Sequence, residues 1–409
     1  MRIKKIDPQI VELIEKERKR QENSLDLIPS ENYPSPAVRE ALGSLFVAKY
    51  SEGRPFKRYY GGQEFVDKLE TLVQERTKRA FGLSSKKWAV NVQPLSGAQA
   101  NYEILRGLLE KGDKILCLDL SHGGHLSQGS KASLSGQDFN PIYYYVGKDG
   151  YLDYKNIEKI AKKERPKIII CGYTAYPREI DFKKFGQIAK ETGAYLLADI
   201  SHIAGLIVGK KHPSPFPFVD VVMTTTHKTL KGPRGAMIIC KKELEDKIFK
   251  MVFPGLQGGP HNHTICAIGV ALKEAMSPKF KKYAGQIIRN AKILAKELKK
   301  YNFNLVSGGT DNHLILIDLR EKGITGRDAQ QLLEKAGIVT NRNTIPYDPR
   351  PPYNPSGLRL GTPALTTRGM KEKEMKKIAF WINEVISNPS SAARIKIEIK
   401  KFCQKFPIP

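Results

Sequence analysis

Short, nearly uninterrupted apolar runs recur through the middle of the chain: Ile115 to Leu120, Lys167 to Cys171, Tyr195 to Ala198, Val219 to Met223 and Ala236 to Cys240. Between them lie stretches whose apolar residues repeat at helical spacing, among them Ala98 to Glu110, Tyr154 to Lys163 and Phe182 to Thr192. Strands apolar at consecutive rather than alternate positions are buried on both faces, so this alternation predicts a mostly parallel α/β sheet between helices. A helix predicted over His263 to Ala275 closes the unit, and Met276-Ser-Pro-Lys-Phe280 predicts a break. Upstream, Ile10, Leu13 and Ile14 fall at helical spacing among charges, predicting an N-terminal arm that leads through Asn23 to Pro29. Downstream, a long helix (about Tyr283 to Lys300), a strand (His313 to Leu319), a helix (Gly326 to Ala336) and two helices between Lys371 and Phe402 predict a smaller α+β domain. The division is an arm over 1–27, a large domain over 28–276 and a small C-terminal domain over 277–409. The loop Thr344 to Ser356 carries five prolines, a stiffened segment ordered by what it borders.

Composition narrows the class. The 409 residues suffice for two domains with a large core. No apolar run approaches the roughly 20 residues of a membrane helix. The charged N-terminal segment has no signal-peptide core, and the five cysteines (117, 171, 240, 266, 403) show no CxxC spacing, so a cytoplasmic protein with reduced thiols is expected. The formal net charge of +26 raises nucleic-acid binding. However, the basic residues are scattered over several helices with no aromatic interleaving, which favours solvated helix faces and Lys-rich thermophile composition. His122, His125, His261 and His263 raise a zinc site, but no Cys or carboxylate completes a set at metal spacing, and no metal is expected.

The chemistry concentrates in Asp220-Val-Val-Met-Thr-Thr-Thr-His-Lys-Thr-Leu-Lys-Gly-Pro-Arg-Gly235. Lys228 stands between two buried strands, and a desolvated lysine beside another cation such as Arg234 becomes a nucleophile toward carbonyls. A lysine that carries pyridoxal phosphate as a Schiff base occupies such a place. A surface hairpin with a basic tip would read the same way from this segment alone. Lysine-bound pyridoxal phosphate needs three further groups. Asp199, ending the apolar strand before His202, offers a carboxylate for the pyridine nitrogen, or else caps the next turn. Leu95-Ser-Gly-Ala-Gln-Ala-Asn101 opens a helix whose N–H groups suit a phosphate, as many helix starts do. Arg359, after the proline-rich loop, offers a fork for an amino-acid carboxylate, or else a structural ion pair.

Together these segments resemble serine hydroxymethyltransferase, a family of fold-type-I pyridoxal-phosphate enzymes, over nearly the whole chain. The resemblance is carried by Leu27-Ile-Pro-Ser-Glu-Asn-Tyr33, Lys49-Tyr-Ser-Glu-Gly53, Lys57-Arg-Tyr-Tyr-Gly-Gly62, Asn91 to Asn101 and Ser121-His-Gly-Gly-His-Leu126. It continues through Ala198 to Leu206, Thr224 to Gly235, Phe253 to Pro260, Asn341-Arg-Asn343 and Ser356 to Arg368, in order and at matching spacing. It implies a fold-type-I transferase with a mostly parallel seven-stranded sheet and a smaller α+β C-terminal domain. The activity implied is reversible transfer of the serine hydroxymethyl carbon to a reduced pterin, tetrahydrofolate or tetrahydromethanopterin, with release of glycine. Lys228 would anchor the cofactor, Asp199 pair with its ring nitrogen, His125 stack on the ring, His202 lie near its hydroxyl and Thr225 steer exchange of amines. Ser96 and the backbone of Gly97 and Ala98 would hold the phosphate, and His227 would also contact the cofactor. Arg359, helped by Ser30, would clamp the substrate carboxylate, Leu120, Gly124 and Leu126 would belong to the substrate site, and Asn343 would contact the pterin ring. The family's sites are shared in a homodimer, which makes Tyr50, Glu52, Tyr60, Gly258 and Gly259 contributions from the neighbouring chain, Glu52 being the acid/base at the serine hydroxyl.

Some positions depart from the common bacterial pattern: Leu95 for a histidine, Ala98 for a serine, Arg54 and Phe56 for a tyrosine and a glycine, and Leu256 for a glycine. Arg54 and the basic balance point to a phosphorylated or polyacidic pterin. A threonine or β-hydroxy-amino-acid aldolase shares the fold, but Glu52, Asn343 and Tyr59-Tyr60 argue against it as the main activity. The Thr-Thr-Thr-His-Lys run matches an aminotransferase poorly. An RNA-binding protein that merely kept the fold would be expected to have lost Lys228 or Asp199.

Overall fold

The computed structural model describes residues 2–409. Contacts divide them into two compact units: Pro34–Gln286 with Ile345–Tyr347, and the chain up to Tyr33 with Ile287–Thr344 and Asp348–Pro409.

The larger unit is built on seven strands: β1 (Trp88–Asn91), β2 (Lys114–Leu118), β3 (Asn140–Tyr144), β4 (Ile168–Cys171), β5 (Tyr195–Asp199), β6 (Val221–Thr225) and β7 (Ala236–Lys241). Their order across the sheet is β1-β7-β6-β5-β4-β2-β3. Only β7 opposes the rest, pairing antiparallel with both β1 and β6, so the other six point the same way. One face of the sheet (Ile115, Cys117, Ile168, Ile170, Leu197, Val221, Met223, Ile238) packs on Ala100, Ile104 and Leu105 of the Gly97–Leu108 helix and on Ile248 and Phe249. The helices Tyr154–Glu164 and Phe182–Thr192 bury Ile157, Ala161, Phe182, Phe185 and Ile188, and the second of them packs against β4 and β5. The five apolar runs of the sequence are the five central strands, within two residues at either end. The two strands that pattern missed, β1 and β3, are the sheet's edges, where residues such as Asn140 and Pro141 are tolerated because one side needs no pairing.

The second unit centres on a four-stranded sheet of β8 (Asn304–Leu305), β9 (Leu314–Asp318), β10 (Asn341–Asn343) and β11 (Gly357–Gly361), in the order β8-β9-β11-β10 and antiparallel throughout. Its core combines Ile315, Ile317, Leu358 and Leu360 with Leu333, Ile378, Trp381, Ile382, Ile395 and Ile399 from the helices, and with Leu25 and Leu27 near the N-terminus. The long helix predicted to start at Tyr283 starts at Pro278, because the Ser277 hydroxyl accepts from Phe280 N at 3.2 Å and proline is well suited to a first helical turn. The break is thus confined to Met276–Ser277. Among the described residues no helix is long and apolar enough to cross a membrane.

Candidate active site

Parallel strands deliver their C-terminal ends to one edge of a sheet, the usual place for a ligand in such folds. In the larger unit β5 ends there in Asp199 and β6 in Thr225, and β1 leads to the Ser96–Gly97 turn. Thr225 is the junction. Its hydroxyl accepts from Lys228 Nζ at 2.8 Å, and its N–H donates to Ser201 Oγ at 3.0 Å. A Cβ on Gly97 would come within 2.6 Å of Thr225 Cγ2, so glycine permits this close approach. Ser96 caps the Gly97–Leu108 helix in extended conformation, its hydroxyl 3.5 Å from Gln99 N, with Ser96 and Ala98 exposed at the turn.

Asp199 is buried and held on three sides. Ser201 N donates to Oδ1 at 3.0 Å, while Gln128 Nε2 at 2.8 Å and Asn101 Nδ2 at 3.1 Å both donate to Oδ2. The second Asn101 contact, 2.9 Å to Ser127 Oγ, leads to His125, whose Nδ1 is 2.7 Å from that hydroxyl. Lys228, Thr225, Gly97, Asp199 and His125 therefore belong to one connected cluster. His202 is buried one turn past β5, and its carbonyl accepts from Thr229 Oγ1 at 2.9 Å. His227 lies 3.4 Å from Arg234 Nη1, and its Nδ1 is buried without a hydrogen-bond partner. Burial first, then the charges of Lys228 and Arg234, push its pKa down to about 3, so it is neutral at pH 7.

Leu120 and Leu126 are exposed on the loop after β2, and Gly124 is buried where a Cβ would stand 2.2 Å from Leu118 O. A cavity of about 260 Å³ adjoins this loop, lined by Leu120, His125, Gln128, Lys131 and Tyr143 among others.

A second patch of the same unit gathers Tyr50, Glu52, Tyr60 and the Gly258–Gly259 turn. The Tyr50 and Tyr60 rings meet edge-on at 5.0 Å. Cβ atoms on Gly258 and Gly259 would lie 3.1 Å from Glu52 Oε1 and 3.0 Å from the Tyr50 ring. Glu52 is bracketed by Arg58, whose Nη1 donates to Ser51 O at 3.0 Å and Gly53 O at 2.6 Å. The rest of that guanidinium is fixed by Asp67 (2.9 Å) and Glu70 (2.7 Å). Arg54, read as a cation for the pterin, is instead tied to Asp246 at 2.9 Å and Glu245 at 3.8 Å and lies over the Phe249 ring.

In the other unit Arg359 sits in β11, paired across the sheet with Leu316 and Asn341. Its Nε lies 3.3 Å from Asn341 Oδ1, and burial pushes its pKa down to about 10, still protonated at neutral pH. Ser30 follows Pro29, whose Cα would be 2.4 Å from a Cβ on Gly361 at the end of the same strand. Asn343 ends β10, donating to Thr344 O at 2.7 Å.

The sequence reading named neither Gln128, Ser127 and Ser201 nor Arg58 individually. Their polarity alone does not separate them from surface residues; only burial of an amide or guanidinium does, and burial is a property of the fold.

These residues fit pyridoxal 5′-phosphate: a lysine amine held by a hydroxyl, a buried carboxylate with an acceptor position to spare, a helix N-terminus opened by a glycine, and an orphaned buried imidazole nitrogen. The sequence model of a family described as serine hydroxymethyltransferase matches residues 3–382. With that match spanning both units, and with the sheet and lysine-bearing turn found here, the chain belongs to the serine hydroxymethyltransferase family of fold-type-I, pyridoxal-phosphate-dependent enzymes.

Proposed function

We propose that this protein moves the hydroxymethyl carbon of serine to a reduced pterin, giving glycine, the methylene pterin and water, and that it also runs the reverse. The observation that carries the reading is the Lys228–Thr225 contact in one cluster with buried Asp199. Pyridoxal 5′-phosphate, when bound, supplies the electron sink that labilises bonds at the amino-acid Cα. Lys228 holds it covalently and Thr225 Oγ1 keeps Nζ in place for exchange with the substrate amine. Asp199 would pair with the ring nitrogen and keep it protonated, with His125 and His202 beside the ring. Ser96 Oγ and the N–H groups of Gly97 and Ala98, with neutral His227, take the phosphate. Arg359 grips the substrate carboxylate in a bidentate pair and Ser30 assists.

The remaining groups come from a second copy in a homodimer. Tyr50, Gly258 and Gly259 reach the partner's cofactor, and Tyr60 its substrate. Glu52 moves the proton at the serine hydroxyl oxygen as the carbon departs or joins. Leu120, Gly124, Leu126 and Asn343 face the pterin. The acceptor is a phosphorylated or polyacidic pterin of the tetrahydromethanopterin kind, drawn by the surplus positive charge rather than by Arg54, whose charge is already matched by Glu245 and Asp246. Four buried thiols of five, all unpaired, fit a reducing cytoplasm.

The test is the absorption spectrum of the holoprotein with glycine and then each pterin. Visible absorbance that disappears in Lys228→Ala, with a new long-wavelength band only when glycine and a pterin are both present, supports the transferase. Cleavage of β-hydroxy amino acids with no pterin response would make the protein an aldolase. Equal affinity for tetrahydrofolate and tetrahydromethanopterin would remove the pterin preference.

A further inference from the structure

Asn101 is 1% exposed, Gln128 2% and Ser127 5%, so their polar atoms are shut away from water. An ionised carboxylate offers about four acceptor positions. Asp199 has three of them filled, two on Oδ2 by Asn101 and Gln128 and one on Oδ1 by Ser201 N. Both donors on Oδ2 are amide N–H groups, which cannot accept a proton in return. Oδ2 thereby has no acceptor position left, and the single open position is on Oδ1.

The same Asn101 nitrogen uses its other proton on Ser127 Oγ. Having accepted there, the Ser127 hydroxyl turns its own proton toward His125 Nδ1 at 2.7 Å, and Ser127 N–H donates to the same Nδ1 at 3.2 Å. Nδ1 is thus an acceptor, and the proton of the neutral imidazole sits on Nε2. The amide cannot turn over, because its oxygen would then face the Asp199 carboxylate. Asn101 Oδ1 is left buried with no partner, a cost that stability alone would not select.

We infer that Asn101 is a positioning residue coupling two functions: its one amide nitrogen holds the Asp199 carboxylate so that Oδ1 alone stays open, and through Ser127 it fixes His125 as the Nε2–H tautomer. Gln128 supports the first function only. The inference rests on Asp199 pairing with the cofactor's ring nitrogen and on His125 covering the ring.

The test uses holoprotein carrying ¹⁵N-labelled cofactor and ¹⁵N-labelled histidine, with His125 assigned by its loss in His125→Asn. In the native protein the ring nitrogen reads as protonated and His125 as a single tautomer with Nδ1 unprotonated. Gln128→Met removes one of the donors that stabilise the negative charge on the Asp199 carboxylate. The ring-nitrogen protonation equilibrium should then move toward the free base by about one pKa unit, a tenfold change, with His125 unaltered. Asn101→Leu should produce that shift together with loss of the single His125 tautomer. A ring nitrogen that responds to Asp199→Asn but to neither variant overturns the inference and spares the pairing. A ring nitrogen that ignores Asp199→Asn overturns the pairing itself. An unchanged His125 tautomer in Asn101→Leu overturns the coupling. If Asn101→Leu does not fold, Gln128→Met still decides whether buried amides set the state of Asp199.

Discussion

Glu103 shows how far a single residue can stand outside the catalytic logic and still govern behaviour. It is fully buried in the Gly97–Leu108 helix, neither carboxyl oxygen has a hydrogen-bond partner, and burial raises its pKa to about 8. The folded state therefore binds a proton that the unfolded state releases above its ordinary value of 4.5. Stability from this group is complete below pH 4.5 and declines as pH rises through 8, by roughly 5 kcal/mol at most. Glu103→Gln should flatten that slope and raise the melting temperature at pH 8 more than at pH 5; thermal unfolding across pH checks it. His227 acts in the opposite sense: with its pKa lowered to about 3, it costs stability as pH falls through the histidine value of 6.5. Legibility at this scale was uneven. Asp199 is conspicuous in the sequence as a charged residue ending an apolar strand, and Lys228 as a lysine in the turn between two of them. Glu103 is not, because a glutamate in a helical pattern is ordinarily solvated and nothing local marks its face as the inner one.

At the scale of elements, the loop carrying Glu52 is short and would be mobile without its clamp. Gly53 adopts φ +101°, and a Cβ there would lie 2.3 Å from Lys57 O, so the hairpin closes only around a glycine. Arg58 then bonds the carbonyls on either side of Glu52 while Asp67 and Glu70 hold its other nitrogens. Burial, opposed by Arg58, still keeps the Glu70 carboxyl above its usual range. Arg58→Lys retains the charge but not the fork. It should cost about 1–3 kcal/mol of stability and lower kcat, while the cofactor's absorbance stays unchanged. Urea unfolding and steady-state kinetics on the same sample separate the two effects. The central strands and most helices could be read from periodicity, whereas this clamp could not: Lys57-Arg-Tyr-Tyr reads as a solvated loop until Arg58 is seen to be buried.

For the molecule as a whole, +26 charges on 409 residues create a field that reaches well beyond any one contact. Its influence on a multiply charged anion is strong at low salt and fades as the screening length falls to about 8 Å at 0.15 M. The KM for a phosphorylated pterin should rise severalfold between 20 and 300 mM salt, while that for zwitterionic serine hardly moves. Parallel salt responses for both would assign the surplus charge to something other than substrate capture. Whole-chain order of motifs made the fold readable from sequence, whereas the proposed sharing of sites between copies rests on family resemblance alone, since no residue pattern encodes a partner.

The gathering of Tyr50, Glu52 and the Gly258–Gly259 turn into one patch has a genetic corollary. If each copy lends that patch to its neighbour, the gene has two separable complementation groups. Chains carrying Lys228→Ala and chains carrying Glu52→Ala, each inactive alone, would on mixed assembly form hybrids with one intact site and one doubly defective site. Random pairing restores about a quarter of all sites. A heterozygote of two null alleles would then grow where either homozygote fails. Recovery of no activity from co-expressed chains would show instead that each copy serves itself.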